Sequence, residues 1–456
     1  MKSKFKGSIQ LSAIGDAMGW MTEFERDVSG INKKFGVERI EKFYNWEKQV
    51  GGRYYGFIDK ILAGSYSDDT QLTLSVARSI RDDGTIDNER FSKLELPNWL
   101  YYARGGGRTI KVAARKINRK SASWNNNYFN FKIGQNNIDY RDCGANGAAM
   151  RILPVALANI GVFEKMKSGI ISNSIITHGH ARAIIGAIIY GAAIDLIIHY
   201  TKEDFDAIDF LTDLGKTVKE KLALNKNEND WLNDWIEKWG TGWLFDFESH
   251  YESIIEEVLG QLRGLFIALR DDTDYPKLLS DLGCYKPETK GSGTATVLAG
   301  IFIAIKFYKK PKDAILNAVN SVGTDTDSIA AFTGGIIGAI YGYDIIPEEW
   351  KNIQDIDYLG KMAEHLYKIN KGDYNSHSPI VMGNAHKTIN DFEIDGLNKD
   401  DSFFFEPIGF GTITGIERQP VLISGKYALI VDIDFESGQT CRFSKVCNEK
   451  DGYASY

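Results

Sequence analysis

The sequence predicts a compact all-α domain followed by a small β-barrel-like domain at the C-terminus. Helical periodicity runs from the first residues to about residue 370, and several segments in that region are apolar on nearly every face. Short segments rich in β-branched and aromatic residues begin after residue 379. We therefore predict a helical domain over residues 1–370 and a β-rich accessory domain over residues 375–456.

The helical domain is predicted to be a large bundle. An apolar residue recurs at every fourth position from Leu72 to Ile80, as on one face of a helix. The segments 295–308 and 329–342 are apolar all round, which is typical of central helices. The segment Ala183–Tyr200 is also strongly apolar, but it contains an aspartate and is too short to span a bilayer comfortably. We interpret it as a buried helix.

The character of the sequence changes after the polar segment 368–379. The segments 408–416, 427–435 and 439–447 are short, rich in β-branched and aromatic residues, and separated by turn signals. A small β-barrel or sandwich is the expected structure. Because this tail carries more acidic than basic residues, we expect a partner-binding or lid-like domain that does not contact nucleic acid.

Composition excludes several classes of function. The chain has 456 residues, of which 43% are hydrophobic and 25% are charged, and these values are ordinary for a globular protein. Its net charge of −7 argues against general binding to nucleic acid or to an anionic membrane. The cysteines show no CxxC pairing, and the N-terminus lacks the apolar core of a signal peptide. A cytoplasmic enzyme is therefore expected.

Two clusters of acids and hydroxyls stand directly before apolar helical segments. They are SDDT at 67–70 and DTDS at 325–328. Helix capping accounts for either cluster taken singly, because Ser, Thr and Asp are preferred caps. A cap needs one side chain, however, and neighbouring carboxylates repel one another unless a cation lies between them. Carboxylate and hydroxyl oxygens suit Mg²⁺ or Mn²⁺, and the two clusters could share a pair of ions roughly 3.5–4 Å apart.

Other segments are candidates for the same site, each with a structural alternative. Glu23 follows a glycine-rich helical segment and could add a carboxylate, although a surface glutamate is the simpler interpretation. The segment 142–157 joins a Gly/Asn-rich loop to a helix start, where free backbone N–H groups bind phosphate. His178 is either a ligand contact or a core histidine. The basic segment 99–120 contains RGGGRT and is either an anion-attracting rim or a solvated helix face.

In their order along the chain, these motifs resemble the ADP-ribosylglycohydrolase family. The matching segments are GDAMGWMTEF, SDDT, RGGGRT, ANGAAMRILPVAL, THGHARA, KGSGTATVLAGIF and VGTDTDSIAAFTGGIIGAIYG. The resemblance covers about residues 7 to 350. It implies a compact all-α fold with two Mg²⁺ ions in a cleft, Mn²⁺ being the alternative ion.

The resemblance also implies roles for individual residues. It assigns metal ligation to Ser67, Asp68, Asp69, Asp325, Asp327 and Ser328. It assigns substrate contacts to Cys143, Gly144, Asn146, Gly147, His178, Ser292 and Gly293. Its catalytic carboxylates are Glu23, Asp68 and Asp69. Cys143 departs from the family, where a hydroxyl is common, and the segments 201–290 and 375–456 match no family motif.

The residues and the resemblance together predict hydrolysis of an N- or O-glycosidic bond at the ribose C1″. Polarised water would attack while one of the acids takes its proton. ADP-ribosyl-arginine on a modified protein is the expected substrate, and serine-linked ADP-ribose or a free ADP-ribose derivative are alternatives. A contrasting hypothesis is an immunity or binding protein that neutralises an ADP-ribosylating toxin by contact, with the C-terminal β domain as the docking surface.

Overall fold

The computed structural model describes residues 1–225, 229–373 and 397–449. The helices up to residue 371 dominate this part of the chain, which confirms the prediction of a mostly helical protein. The α-helices are α1 (Lys2–Trp20), α2 (Val28–Phe35), α3 (Gly52–Tyr55), α4 (Asp68–Ala77), α5 (Asn88–Arg90), α6 (Leu96–Trp99), α7 (Arg108–Lys116), α8 (Leu153–Ala158), α9 (Phe163–Ser174), α10 (Ala181–Ile197), α11 (Ala207–Lys221), α12 (Asp230–Gly240), α13 (Phe247–Arg270), α14 (Tyr275–Asp281), α15 (Gly293–Lys306), α16 (Pro311–Val319), α17 (Thr326–Tyr341) and α18 (Ile356–Lys371). Among these described segments, none is both long enough and apolar enough for a membrane-spanning helix.

The centre of the fold is the crossing of α1 and α17, which contact each other more extensively than any other pair of described helices. Glycines allow the two backbones to touch. A Cβ at Gly15 would lie 2.1 Å from the carbonyl oxygen of Ala330, and one at Gly338 would lie 2.2 Å from the carbonyl carbon of Gly7. Because α1 ends near Glu23 and α17 begins beside Asp325, this crossing places two candidate functional segments side by side.

Helices α10 and α15 pack around α17 and are buried on nearly all faces. Helix α15 coincides with the segment 295–308, predicted as a central helix, and α10 with the apolar segment from Ala183, predicted as a buried helix. The N-termini of α4 and α17 differ from the predicted starts near Gln71 and Ile329. The structure begins these helices at Asp68 and Thr326, about one turn earlier, so Asp68, Asp69 and Asp327 lie within the first turns, and Asp325 is the N-cap residue of α17.

The helical part also contains two short β-hairpins, which the all-α prediction missed. Strands β1 (Trp46–Val50) and β2 (Phe57–Ile61) pair antiparallel, with Lys48 opposite Asp59. Strands β3 (Asn130–Ile133) and β4 (Asn136–Asp139) form the second hairpin. Each strand has only four or five residues, too few for alternation to stand out in the sequence.

The C-terminal strands form an open antiparallel sheet. Its order is β5 (Ser402–Phe405), β6 (Gly409–Pro420), β7 (Lys426–Phe435) and β8 (Thr440–Asn448). The sequence predicted a small β-barrel or sandwich, but among the described residues β5 pairs only with β6 and β8 only with β7, so the structure shows an antiparallel sheet and no closed barrel. Four strands leave two unpaired edges, whereas a barrel needs its first and last strands to meet.

The sheet packs on the helical part through aromatic side chains. The ring of Phe443 lies 5.7 Å from that of Tyr102, and the amide of Ser444 donates to the carbonyl of Tyr101. The buried guanidinium of Arg78, in α4's C-cap, donates to Gln439. The proposed start of a second domain at residue 375 lies outside the described residues, and the two-domain division remains a prediction.

Candidate active site

The N-terminus of α4 is held by a buried carboxylate from α1. Asp16 accepts hydrogen bonds from the amides of Ser67 and Thr70 and from the Thr70 hydroxyl, at 2.5 to 3.2 Å. Ser67 is buried and caps the helix, because its Oγ accepts from the Asp69 amide at 3.3 Å. The capping interpretation therefore describes Ser67 well, and its hydroxyl is not among the groups that line the nearby cavity. Its role as a metal ligand remains a prediction.

Asp68 and Asp69 lie in the first turn of α4, and both line the cavity beside it. The Gly106 amide donates to Oδ1 of Asp68 at 2.6 Å, so the glycine loop of RGGGRT closes against that carboxylate. Oδ2 of Asp69 accepts from the hydroxyl of Ser328 at 2.8 Å. This bond joins residues 259 positions apart in the chain and shows that the two acid clusters meet.

The second cluster occupies the start of α17. Asp325 is the N-cap residue of α17, yet its side chain makes no capping hydrogen bond. Instead, its carboxylate accepts a hydrogen bond from the side-chain Nδ2 of Asn146 at 3.0 Å. Carboxylate oxygens of Glu23, Asp325 and Asp327 all lie within 4.8 Å of one another. Capping therefore does not account for these acids. Their oxygens converge at the spacing of ligands around one cation.

The acids form the floor of a cavity of about 910 Å³. This is the upper part of the usual size range for small-molecule sites. The glycine loop 105–107, the β1–β2 hairpin and the segment 145–147 form its walls. Two residues of the C-terminal sheet, Arg442 and Ser444, also line it.

Burial makes this floor electrostatically unusual. It raises the pKa of Glu23 to about 8 and that of Asp68 to about 7, with Asp325 contributing to the shift at Glu23. Burial also raises the pKa values of Asp69 and Asp327 well above their usual range. Like charges so close together cannot all ionise unless positive charge is added.

The donor set fits a hard divalent cation. None of the five clustered acids forms an ion pair with a basic side chain in the described parts of the chain. Ionised carboxylates that are crowded together without a neutralising countercharge are costly, and oxygen-only donors are what Mg²⁺ and Mn²⁺ prefer. The identity and the number of ions remain predictions.

The predicted substrate-binding residues divide into two groups. Asn146, Gly147 and His178 line the cavity. Burial and the nearby Arg151 lower the pKa of His178 to about 3, so its ring is neutral. Its Nδ1 is 2.7 Å from the Thr177 hydroxyl. A neutral ring at this position can contact a sugar or base without adding charge.

The other predicted substrate contacts do not line the cavity; among them, Ser292 and Gly293 hold the segment 144–145 in place. The Gly293 amide donates to the carbonyl of Gly144 at 3.0 Å, and Ala145 forms an isolated β-bridge with Ser292. The thiol of Cys143 is buried and donates to the carbonyl of Asp139. Cys143, Gly144, Ser292 and Gly293 do not line the cavity, and their assignment as substrate contacts remains a prediction.

Two residues at the site had no assigned role in the sequence analysis. Asp16 lies beside Gly15 in α1, and only the fold shows that it holds the SDDT turn. Lys48 belongs to the unpredicted β1–β2 hairpin and places its ammonium 3.4 Å from the ring centroid of Phe24, at the cavity wall. A lone acid in an apolar helix was an available signal for Asp16. No local motif marks Lys48.

The matches to known proteins extend over most of the chain. The ADP-ribosylglycohydrolase family model matches residues 1–376. ADP-ribosylhydrolase ARH3 of Xenopus tropicalis is 23% identical over 380 residues, which are 80% of this chain and 96% of that protein. ADP-ribosylarginine hydrolase Tri1 of Serratia proteamaculans is 23% identical over 376 residues, 80% of this chain and 79% of that protein.

Two further matches agree with these. The ADP-ribosyl-[dinitrogen reductase] glycohydrolase of Rhodospirillum rubrum is 28% identical over 170 residues, covering 37% of this chain and 49% of that protein. A solved structure of an ADP-ribosylglycohydrolase-related protein complex superposes with a TM-score of 0.51 at 17% identity, over 81% of this chain and 98% of that one. The structural match supports the fold alone. Because the family model covers far more than half of the sequence, this chain belongs to the ADP-ribosylglycohydrolase family.

Proposed function

We propose that this protein is a Mg²⁺-dependent hydrolase that removes ADP-ribose from modified protein side chains, with arginine as the preferred acceptor. The observation that carries this proposal is the contact between the two acid clusters at the floor of one cavity. Ser328 bonds to Asp69 at 2.8 Å, and Glu23 joins Asp325 and Asp327 within 4.8 Å.

The acids would hold the metal. Asp68, Asp69, Asp325 and Asp327 are the candidate ligands, with the hydroxyls of Ser67 and Ser328 beside them. When bound, Mg²⁺ or Mn²⁺ would supply Lewis acidity and neutralise the crowded carboxylates. The proposal therefore requires that the protein bind divalent cations before it shows activity.

The remaining steps fall to the protein's own side chains. Glu23 lies at the cavity wall, partly exposed, and its side chain has no hydrogen-bond partner among the described residues. Once bound cations offset the neighbouring carboxylates and Glu23 is ionised, it can take a proton from an attacking water. Positive charge that develops on the ribose ring would be stabilised by the acidic floor, as in glycosidases generally.

Arginine is proposed as the acceptor on two grounds. An acidic floor favours a cationic guanidinium over a neutral serine hydroxyl as the departing group. Two relatives at 23% identity carry the printed name ADP-ribosylarginine hydrolase, although others at 22 to 25% are named ADP-ribosylhydrolase ARH3. Serine-linked ADP-ribose is therefore the main competitor.

The experiment compares release of ADP-ribose from arginine-modified and serine-modified proteins, with Mg²⁺ and with a chelator. Asp327→Asn is expected to lower turnover by at least about 100-fold while leaving stability equal or higher, because it removes one of several repelling buried acids. Asp313→Asn is the matched control, since Asp313 is exposed in the first turn of α16 and does not line the cavity. Equal turnover by Asp327→Asn and wild type would refute the proposal.

A further inference from the structure

The C-terminal sheet lies outside the region matched by the family model, yet it contacts the wall of the active site. The match ends at residue 376, and the sheet begins at Ser402. Its strand β8 contributes Arg442 and Ser444 to the cavity lining. An addition to the family fold is therefore placed to influence the chemistry of the site.

The sheet holds the β1–β2 hairpin through its backbone. Oε1 of Gln419 accepts from the Ile58 amide at 2.9 Å, and Nε2 of the same side chain donates to the Ile58 carbonyl at 2.9 Å. This pair of bonds imitates the pairing of a neighbouring strand. Glu417 adds an exposed ion pair with Lys60 at 2.7 Å. One side chain thus satisfies both polar groups of an edge-strand residue.

The sheet also contacts the β1–β2 hairpin through charged side chains on the side of the hairpin that faces the cavity. Arg442 is held by Asp432 through two bonds of 2.7 and 3.0 Å. Its Nη1 reaches the carboxylate of Asp59 at 3.4 Å and the carbonyl of Lys60 at 2.8 Å. Asp59 is buried and directly opposite Lys48 in the hairpin register. Opposed residues of an antiparallel pair share a face, so Asp59 and Lys48 both face the cavity.

Lys48 is the residue that the hairpin brings to the acids. Its ammonium lies over the ring of Phe24, and Trp46, two residues before it, packs edge-on against Trp20 of α1 at 4.9 Å. Lys48 lines the same cavity as Glu23, Asp68 and Asp327. Burial lowers the pKa of the Lys48 ammonium, whereas these three acids act in the opposite direction and favour its charged form. A cation fixed here offsets part of the negative charge of the floor.

Arg104 of the helical part also donates to Asp59 at 3.1 Å and to the carbonyl of Lys60 at 3.3 Å, so the sheet shares this contact with the helical part. We propose that Lys48 is a fixed cation of the active site and that the C-terminal sheet, through Gln419 and Arg442, helps to hold it there. Lys48 then does two things. It weakens binding of divalent cations by like-charge repulsion, and it reduces the repulsion between the acidic floor and the diphosphate of an ADP-ribosyl substrate. The second effect rests on the proposed function.

The test uses the full-length protein with Mn²⁺ as the probe. Mn²⁺ affinity is measured by titration calorimetry and by electron paramagnetic resonance. Lys48→Met is expected to bind Mn²⁺ at least about tenfold more tightly than wild type, and to show a higher KM for the ADP-ribosylated substrate. Gln419→Ala is expected to shift both quantities in the same directions by a smaller factor. In the double variant, Gln419→Ala should add nothing to Lys48→Met.

The direction of these shifts separates positioning from stability. If the sheet only stabilised the fold, Gln419→Ala would weaken Mn²⁺ binding, and that result would overturn the inference. Thr412→Ala is the control on the same strand, because the exposed Thr412 side chain has no hydrogen-bond partner among the described residues. It should leave both quantities unchanged.

Amide hydrogen exchange tests, without any metal, whether the C-terminal sheet holds the β1–β2 hairpin. Exchange across the hairpin, and at Ile58 above all, should quicken in Gln419→Ala and stay unchanged in Thr412→Ala. Unchanged exchange in Gln419→Ala would refute the role of the sheet. If wild type bound no Mn²⁺, the proposed function would fail and with it the charge role of Lys48, whereas the exchange experiment would still decide whether the sheet holds the hairpin.

Discussion

The glycine run of RGGGRT gives the sharpest prediction about the acid cluster. Gly105 has a φ of +86°, and a Cβ there would lie 2.4 Å from Oδ1 of Asp68. The substitution Gly105→Ala therefore forces Asp68 away from its position and from its 2.6 Å bond to the Gly106 amide. It also places a side chain in the left-handed region, where only glycine is unstrained.

The magnitude follows from these two effects. The backbone strain should lower the free energy of unfolding by about 1–2 kcal/mol. Loss of a hydrogen bond to a charged group is worth about 1.5–3 kcal/mol, so a displaced Asp68 should lower kcat/KM by about 10- to 100-fold. Affinity for Mn²⁺ should fall along with the rate, because both depend on the same carboxylate.

The neighbouring Gly107 provides the control. Its φ is −62°, and a Cβ there would meet nothing within 4 Å. Gly107→Ala should therefore leave Asp68 in place, keep the wild-type Mn²⁺ affinity and turn over substrate about 10- to 100-fold faster than Gly105→Ala. The assay is release of ADP-ribose by both variants at saturating Mg²⁺, with urea unfolding measured in parallel. If Gly105→Ala retained the activity of Gly107→Ala, then Asp68 would not act at the position where the structure places it.

Two further predictions concern the fold. At the α1–α17 crossing, Gly338→Ala should lower the free energy of unfolding in urea by at least about 2 kcal/mol, because the added methyl group overpacks the contact. The control is Gly260→Ala in α13, where a Cβ meets nothing within 4 Å. It should leave the free energy of unfolding equal or raise it by up to about 1 kcal/mol. Burial raises the pKa of Asp355 to about 6 from its ordinary value of 3.8, so the folded protein binds this proton more tightly than the unfolded chain. Its contribution to stability is complete below pH 4 and is lost as the pH rises through 6. The stability of Asp355→Asn relative to wild type should therefore grow by about 3 kcal/mol between pH 4 and pH 7, and a flat difference in urea titrations would contradict this.

The sequence analysis predicted the ingredients of the site better than their arrangement. SDDT and DTDS stand out because paired acids beside hydroxyls exceed what capping requires, and the structure brings them into contact through Ser328 and Asp69. The substrate-loop residues were predicted as one group, but only Asn146, Gly147 and His178 reach the cavity. A run of glycines and small residues marks a loop without showing which of its faces is turned toward a ligand.

The C-terminal tail shows the same division. Its β character was evident from β-branched and aromatic segments, whereas closure into a barrel depends on whether the edge strands meet, and among the described strands β5 and β8 do not pair. The β1–β2 hairpin was not predicted at all. Its strands are five residues long, and the side chains that contact it from elsewhere in the fold, such as Gln419, Arg442 and Trp20, are remote in sequence.

The sequence by itself determined the helical class, the buried central helices and the identity of the acids, because periodicity and residue chemistry are local properties. Only the tertiary structure decided that Asp16 secures the first acid cluster, that Glu23 joins the second and that Lys48 lines the same cavity. These relations depend on the close crossing of α1 with α17 and on the packing of the sheet against the hairpin. Such contacts join residues tens to hundreds of positions apart, and no local pattern encodes a distance in space.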